Sequence, residues 1–194
     1  MKDTSDHSEA RAEDARLIAA YAAGDLAAAR LLSQRLSPRA YAHAYRVLGD
    51  SAEAQDVTQD ALLRLWKQAP DWDAGRAQAS TWIYRVVANL CTDRLRRKRE
   101  EGMEEGFEPA DPSLSAEARL LELARHDALQ SALLRLPERQ RQAVVLRHLE
   151  GLANPEIAEI LDVGVEAVES LTARGKRALA ADMAAMRDAL GYET

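Results

Sequence analysis

The chain has 194 residues, 47% hydrophobic and 30% charged, with a formal net charge of −6 and a single cysteine, Cys91. That length suits one large or two small domains with buried cores. One thiol excludes an internal disulfide or a cysteine-based metal cluster and points to a reducing, cytoplasmic setting. No apolar run approaches the ~20 residues of a membrane span, so no membrane insertion is expected. With only 9 glycines and 6 prolines among many alanines and leucines, the composition predicts an all-α protein.

Residues 1–15 are polar and acidic and are expected to form a disordered N-terminal tail. A first helical domain is expected over 16–99, and within it residues 24–99 carry thirteen basic residues against eight acidic ones. Residues 100–118 carry seven acidic and no basic residues, with prolines and glycines. Like charges repel and proline blocks helix, so this stretch is expected to be an acidic flexible linker. A second helical domain is expected over 119–181 and a C-terminal tail over 182–194. Charge acts over only ~8–10 Å, so the basic block matters more than the acidic total.

In the first domain, Gly49 ends one helix and Asp50 opens the next, with Glu53 three residues on in capping-box spacing. That helix is expected to run to about Ala69. Val57, Ala61, Leu62, Leu65 and Trp66 share a broad apolar face, while Asp56, Gln59, Asp60 and Lys67 lie opposite with Leu63 among them. Two readings fit: a solvated face with a stray leucine, or a polar docking surface with one apolar anchor. Pro70 to Ala79 reads as a loop, followed by a helix from Ser80, expected as the N-cap, to about Arg99. Ile83, Tyr84, Val87, Leu90 and Cys91 form its buried face. The opposite stripe holds Trp82, Arg85, Asn89, Thr92, Arg96 and Arg99, a stacking ring with base- and phosphate-binding side chains. The terminal Arg94, Arg96, Arg97, Lys98 and Arg99 partly serve the helix dipole, but five basic residues in six exceed that need and point to nucleic acid.

In the second domain, Pro137 opens a helix that Gly151 stops, and Asn154-Pro155-Glu156 opens another, with Asn154 expected as the cap. Ala158 supplies a small residue where two helices cross. Ile157, Leu161, Val163, Val165 and Val168 fill the joint, and Asp162 suits a left-handed turn. The next helix, about Val165 to Ala181, carries Ser170, Arg174, Lys176 and Arg177. This is helix-turn-helix spacing, whose second helix enters a DNA major groove. A purely structural helical hairpin has the same spacing. His7, His43, His126 and His148 are scattered, with no phosphate loop and no metal-ligand pattern, so neither an enzyme nor a cofactor is expected.

The motifs Asp56-Val57-Thr58-Gln59-Asp60, Arg64-Leu65-Trp66, Thr81-Trp82-Ile83-Tyr84-Arg85 with Asn89, and Asp93-Arg94-Leu95-Arg96-Arg97 resemble region 2 of the extracytoplasmic-function (ECF) group of sigma-70 family RNA polymerase sigma factors. Leu136-Pro137-Glu138-Arg139-Gln140-Arg141 through Gly151-Leu152, and Glu156-Ile157-Ala158 to Leu179, resemble region 4. The resemblance implies two small helical domains without a region 3 domain. It implies that Asp56, Gln59, Asp60 and Leu63 dock on the clamp coiled coil of the polymerase β′ subunit. Trp82, Arg85 and Asn89, with the loop 73–80, would bind the melted minus-ten promoter element, and Arg94, Arg96, Arg97 and Lys98 would hold its phosphates. Ser170, Arg174, Lys176 and Arg177 would face the minus-thirty-five element, and region 4 would also meet the β flap. The linker would thread the RNA exit path as an RNA mimic. The family also implies an anti-sigma factor as partner and a monomer when free of partners. Glu169 and Leu171 stand where the family commonly carries basic residues. With Glu166, they leave room for a sigma-like decoy that titrates an anti-sigma factor without binding promoters. A dimeric helix-turn-helix repressor is a third reading.

Overall fold

The computed structural model describes residues 3–73, 78–101 and 116–184, except the side chains of 3–10 and 116–124. The described residues form α-helices with one 3-10 turn and one π turn, and no strand among them. The expected all-α class holds. An N-terminal body contains α1 (Asp3–Ala22), α2 (Leu26–Leu48), α3 (Ser51–Gln68) and α4 (Ala79–Glu100). A C-terminal body contains α5 (Ala116–Leu134), α6 (Glu138–Val144), α7 (Asn154–Leu161) and α8 (Val165–Ala184).

Local chemistry sets the helix ends. Asp25 caps α2 by accepting from the Ala27 amide at 2.9 Å. Gly49, at φ +73°, closes α2 in the left-handed region, and Asp50 then caps α3 by accepting from the Glu53 amide at 2.9 Å. Leu32, Leu36, Val57, Leu65, Ile83, Val87 and Cys91 are buried together in the N-terminal body. Burying each leucine or isoleucine of this set stabilises the fold by roughly 1.5–3 kcal/mol. In the C-terminal body, α8 crosses α6 at Gly175, where a Cβ would lie 2.6 Å from Val144 Cγ2. Only a glycine lets the two backbones approach this closely.

Several local expectations differ from the structure. Residues 3–15, expected as a disordered tail, lie in α1. The helix is tied down by ion pairs from Asp14 to Arg35 at 2.7 Å and from Arg11 to Glu156 at 3.1 Å. Ser80 is not the cap of α4: Gln78 holds that position, without a side-chain hydrogen bond. Asn154 is likewise inside α7 rather than capping it. There Glu156 reaches back to the Ala153 amide at 2.9 Å and does the capping. Val165, expected in the helix joint, is 41% exposed, while Ile157 and Val168 fill the joint. Within the expected linker, residues 102–115 lie outside the described residues and 116–118 are helical. Of the expected C-terminal tail, residues 182–184 continue α8, and 185–194 lie outside the described residues.

The two bodies pack against each other along α2 and α4. Tyr84 and Ala88 of α4 are buried in one apolar cluster with Leu146, Ile157, Ile160 and Val168 of the C-terminal body.

Candidate nucleic-acid interface

Helix α3 is two-faced. Val57, Ala61 and Leu65 are buried, whereas Asp56, Gln59, Asp60 and Leu63, spaced by three and four residues, are all exposed on the other side. Leu63 is 57% exposed, a large apolar side chain on a polar face. Arg94 of α4 braces this face. It donates to Glu53 and lies 3.8 Å from carboxylate oxygens of both Asp56 and Asp60. Lys98, one turn further on, lies 3.9 Å from carboxylates of Asp50 and Glu53. Arg94 and Lys98 were expected among the phosphate-holding residues; the structure turns both toward the acidic start of α3. Four residues apart on a helix, they share one side, and that side faces α3.

The outward stripe of α4 keeps only part of its expected members, because Thr92 bonds to Glu138 and Gln142 of the C-terminal body and Arg99 lies 3.7 Å from Glu138. Arg85, Asn89, Arg96 and Arg97 are exposed. Arg96 pairs within its own helix with Asp93 at 3.0 Å. Trp82 is half-buried, edge-on to Trp72 with ring centroids 5.8 Å apart. The two rings flank the short connection between the 3-10 turn and α4, in which residues 74–77 lie outside the described residues. The stripe therefore presents an aromatic end and a cationic end on one exposed helix side, the arrangement that stacks bases and holds phosphates of a single strand.

A third edge of α4 faces the C-terminal body. Thr92 donates to Glu138 at 2.5 Å and accepts from Gln142 at 3.0 Å. Tyr84 donates to Glu150 at 2.6 Å, and Arg46 of α2 donates to the other oxygen of the same carboxylate at 3.2 Å. Burial and the Glu150 carboxylate both push the Tyr84 phenol pKa up from its ordinary value. Asn89 lines a small cleft of about 110 Å³ with Ala88, Thr92, Gln142, Val163 and Leu171, so residues of α4 and α8 share one recess. None of these cross-body partners was legible in the sequence, since spacing along one helix says nothing about which distant element fills its edge.

In the C-terminal body Asp162 sits at φ 53°, ψ 54°, so the expected left-handed turn between α7 and α8 is present. On α8, Ser170, Arg174, Lys176 and Arg177 are exposed. Arg174 donates to Ser170 Oγ at 2.7 Å and to the Ser170 carbonyl at 3.2 Å. Glu166 and Glu169 are exposed as well, and Glu169 accepts from Asn154 at 3.5 Å. Cys91 is buried and its thiol is pushed up to about 12 by burial, which makes it a core residue rather than a nucleophile. Among the described residues no group of three histidine, cysteine, aspartate or glutamate side chains is placed to hold a metal ion, and no helix is long and apolar enough to cross a membrane.

Comparison with known proteins bears on both bodies. The family model Sigma-70 region 2 matches residues 32–101, and Sigma-70, region 4 matches residues 126–179. The ECF RNA polymerase sigma factor SigM of Mycobacterium tuberculosis is 34% identical over 170 residues, covering 86% of this chain and 83% of that protein. SigW of Bacillus subtilis, also an ECF RNA polymerase sigma factor, is 31% identical over 150 residues, covering 72% and 80%. This chain belongs to the ECF sigma factors of the sigma-70 family. Among solved structures, CnrH in complex with the cytosolic domain of CnrY superposes with a TM-score of 0.66 at 30% identity, covering 89% of this chain and 98% of that one. The sigma factor RpoE of Bartonella quintana, solved with the anti-sigma factor NepR, shares the fold at a TM-score of 0.61 and 22% identity, covering 76% and 91%. The N-terminal body is thus sigma region 2 with α1 preceding it, and the C-terminal body is sigma region 4. A sigma factor is a DNA-binding transcription initiation factor.

Proposed function

We propose that this sigma factor binds core RNA polymerase, carries it to its promoters and opens the DNA there. Asp56, Gln59, Asp60 and Leu63 dock on the β′ clamp coiled coil, with Leu63 as the apolar anchor. Trp82, Arg85 and Asn89 read the melted minus-ten strand, while Arg96 and Arg97 hold its phosphates. Arg94 and Lys98 act as positioning residues, fixing the acidic face of α3 relative to the reading helix. Ser170, Arg174, Lys176 and Arg177 meet the minus-thirty-five element, and region 4 also meets the β flap. The acidic segment 100–118, with seven carboxylates and no counter-charge, occupies the RNA exit path. The factor acts in the cytoplasm, performs no catalytic step of its own, is monomeric when unbound, and is held in check by an anti-sigma factor. The reading is carried by one observation: in an ECF sigma factor, the acidic Leu63 face of α3 and the arginine stripe of α4 are both exposed and braced to each other by Arg94.

The test is co-elution with purified core polymerase. The wild-type chain is expected to co-elute, and Leu63→Asp to weaken binding at least about tenfold, the equivalent of roughly 1.4 kcal/mol. The side chain is exposed, so the variant keeps its fold. Failure of the wild-type chain to bind core refutes the proposal.

A further inference from the structure

The exposed side chains of α8 are sorted by charge along the helix. Val168 and Gly175 are its buried positions. A 100° step per residue puts Glu166, Ser170, Ala173 and Arg177 opposite them, with Glu169 and Arg174 on the two flanks, and all six are exposed. As far as Ala173 the exposed polar side chains are Glu166, Glu169 and Ser170; the exposed basic ones, Arg174, Lys176 and Arg177, all come later. The second helix of a helix-turn-helix sets its N-terminal residues against base edges. Base edges therefore meet the acidic half of α8, and the basic half is left for phosphates.

The two carboxylates are not equivalent. Glu166 lies in the first turn, where the helix dipole favours an anion, and that accounts for it. Glu169 starts the second turn, beyond most of that help. Its bond from Asn154 of α7 spans 3.5 Å, the outer limit of a hydrogen bond. The contact engages one carboxylate oxygen and leaves the other to accept from a base. Next to it, Arg174 donates to Ser170 Oγ at 2.7 Å and to the Ser170 carbonyl at 3.2 Å. This folds a guanidinium back toward Glu169, where its charge offsets part of the repulsion between the carboxylate and DNA phosphates. Ala173, one turn on, is small enough to let the helix come close.

A carboxylate can only accept hydrogen bonds. In the major groove the base donors are the N4 amino group of cytosine and the N6 amino group of adenine. Adenine N6 sits beside the N7 acceptor, which repels the second carboxylate oxygen. Cytosine N4 has no acceptor of its own base beside it in the groove, so a carboxylate selects cytosine.

We propose that Glu169 is a specificity-determining residue: it accepts from the N4 amino group of a cytosine in the minus-thirty-five element, so that element carries a cytosine–guanine pair at that position. The proposal rests on the reading of α8 as the helix that meets this element.

The experiment uses the full chain with core polymerase. The holoenzyme selects duplexes from a library randomised across the promoter region, and the retained molecules are sequenced. Wild type, Glu169→Gln and Glu169→Ala are compared. Core binding is measured in parallel, and circular dichroism verifies the helix content of each variant. Glutamine keeps the length of the side chain and an oxygen for Asn154, so a change in base identity does not come from losing that contact. The wild type is expected to select cytosine at one upstream position about tenfold over the other bases. Glu169→Gln is expected to move that one position to adenine, whose N6 and N7 pair with an amide, and Glu169→Ala to leave it unselected. Preferences at the minus-ten element and binding to core are expected to stay the same. An upstream preference identical in all three proteins overturns the proposal. So do variants that bind every sequence more tightly with unchanged preferences, since Glu169 then acts only as a repelling charge; in both cases promoter selection itself stands. A wild type that binds core yet enriches no sequence refutes the promoter reading, and the proposal falls with it.

Discussion

His43 offers a sharp test of the packing of region 2. Its side chain is fully buried, and neither ring nitrogen has a hydrogen-bond partner among the described residues. The ring stands edge-on to Tyr84 with centroids 5.6 Å apart, and Arg46 lies nearby. Burial, and secondarily the Arg46 charge, hold its pKa down to about 3, against 6.5 for a free imidazole. The unfolded chain therefore binds a proton below pH ~6.5 that the folded chain refuses until pH ~3. Between those values the unfolded state binds more protons, so stability rises with pH and falls on acidification. At pH 5 the depression spans about 1.5 units of the window, a loss of roughly 2 kcal/mol, and near pH 3 the loss approaches about 4–5 kcal/mol. His43→Leu removes both the titration and two unsatisfied buried nitrogens. Urea unfolding at pH 7, 6 and 5 is expected to show the wild type losing about 2 kcal/mol more than the variant over that range. Parallel pH profiles for the two proteins would refute the reasoning, since carboxylates common to both cancel in the difference.

Three further outcomes are expected. Gly175→Ala places a methyl group 2.6 Å from Val144 Cγ2 and 3.2 Å from the Gln140 carbonyl, so thermal unfolding should show a loss of about 1–3 kcal/mol, despite alanine's better helix propensity. Asp50→Ala removes the side chain that accepts from the Glu53 amide and should lower stability by about 1 kcal/mol in urea titrations, whereas Asp50→Asn should retain most of it. Charge reversal at exposed Arg96 and Arg97 should leave polymerase binding intact while reducing run-off transcription at least tenfold; a factor acting only as a decoy would tolerate it.

Much of the architecture was legible because local chemistry determined it. The Asp50 cap, the left-handed Asp162, the Gly49 stop and the buried face of Ile83, Val87, Leu90 and Cys91 each follow from residue type and helical period. What escaped was set by distant partners. Residues 3–15 have the composition of a tail, and it takes Arg35, 21 positions from Asp14, and Glu156, 145 positions from Arg11, to hold that stretch on the fold. Glu53, spaced to complete a capping box, is drawn to Arg94 instead. The basic run of α4 reads as one cationic patch, yet a 100° step sorts it: Arg94 and Lys98 turn to α3, while Arg96 and Arg97 turn outward. That sorting was available from helical geometry alone. Tyr84 was correctly expected to be buried, but the period of α4 could not reveal that region 4 buries it.

The several duties of α4 explain the mixed chemistry of its seam. Over 22 residues it supplies a stripe to the region 2 core, a brace to α3, an exposed side carrying Arg85, Arg96 and Arg97, and an edge for region 4. Asn89 falls between the last two, next to Ala88 and one turn from Arg85. A wholly apolar edge there would make docking of region 4 tight, but would leave a hydrophobic strip beside Arg85 and Asn89 wherever region 4 did not cover it. A wholly polar edge would gain little on docking, because each hydrogen bond made is exchanged for one with water. A short apolar patch at Tyr84 and Ala88, flanked by Thr92 with its Gln142 and Glu138 partners and by Glu150 with Tyr84 and Arg46, lies between these limits. Docking is then directed to one geometry by its hydrogen bonds without a large apolar area.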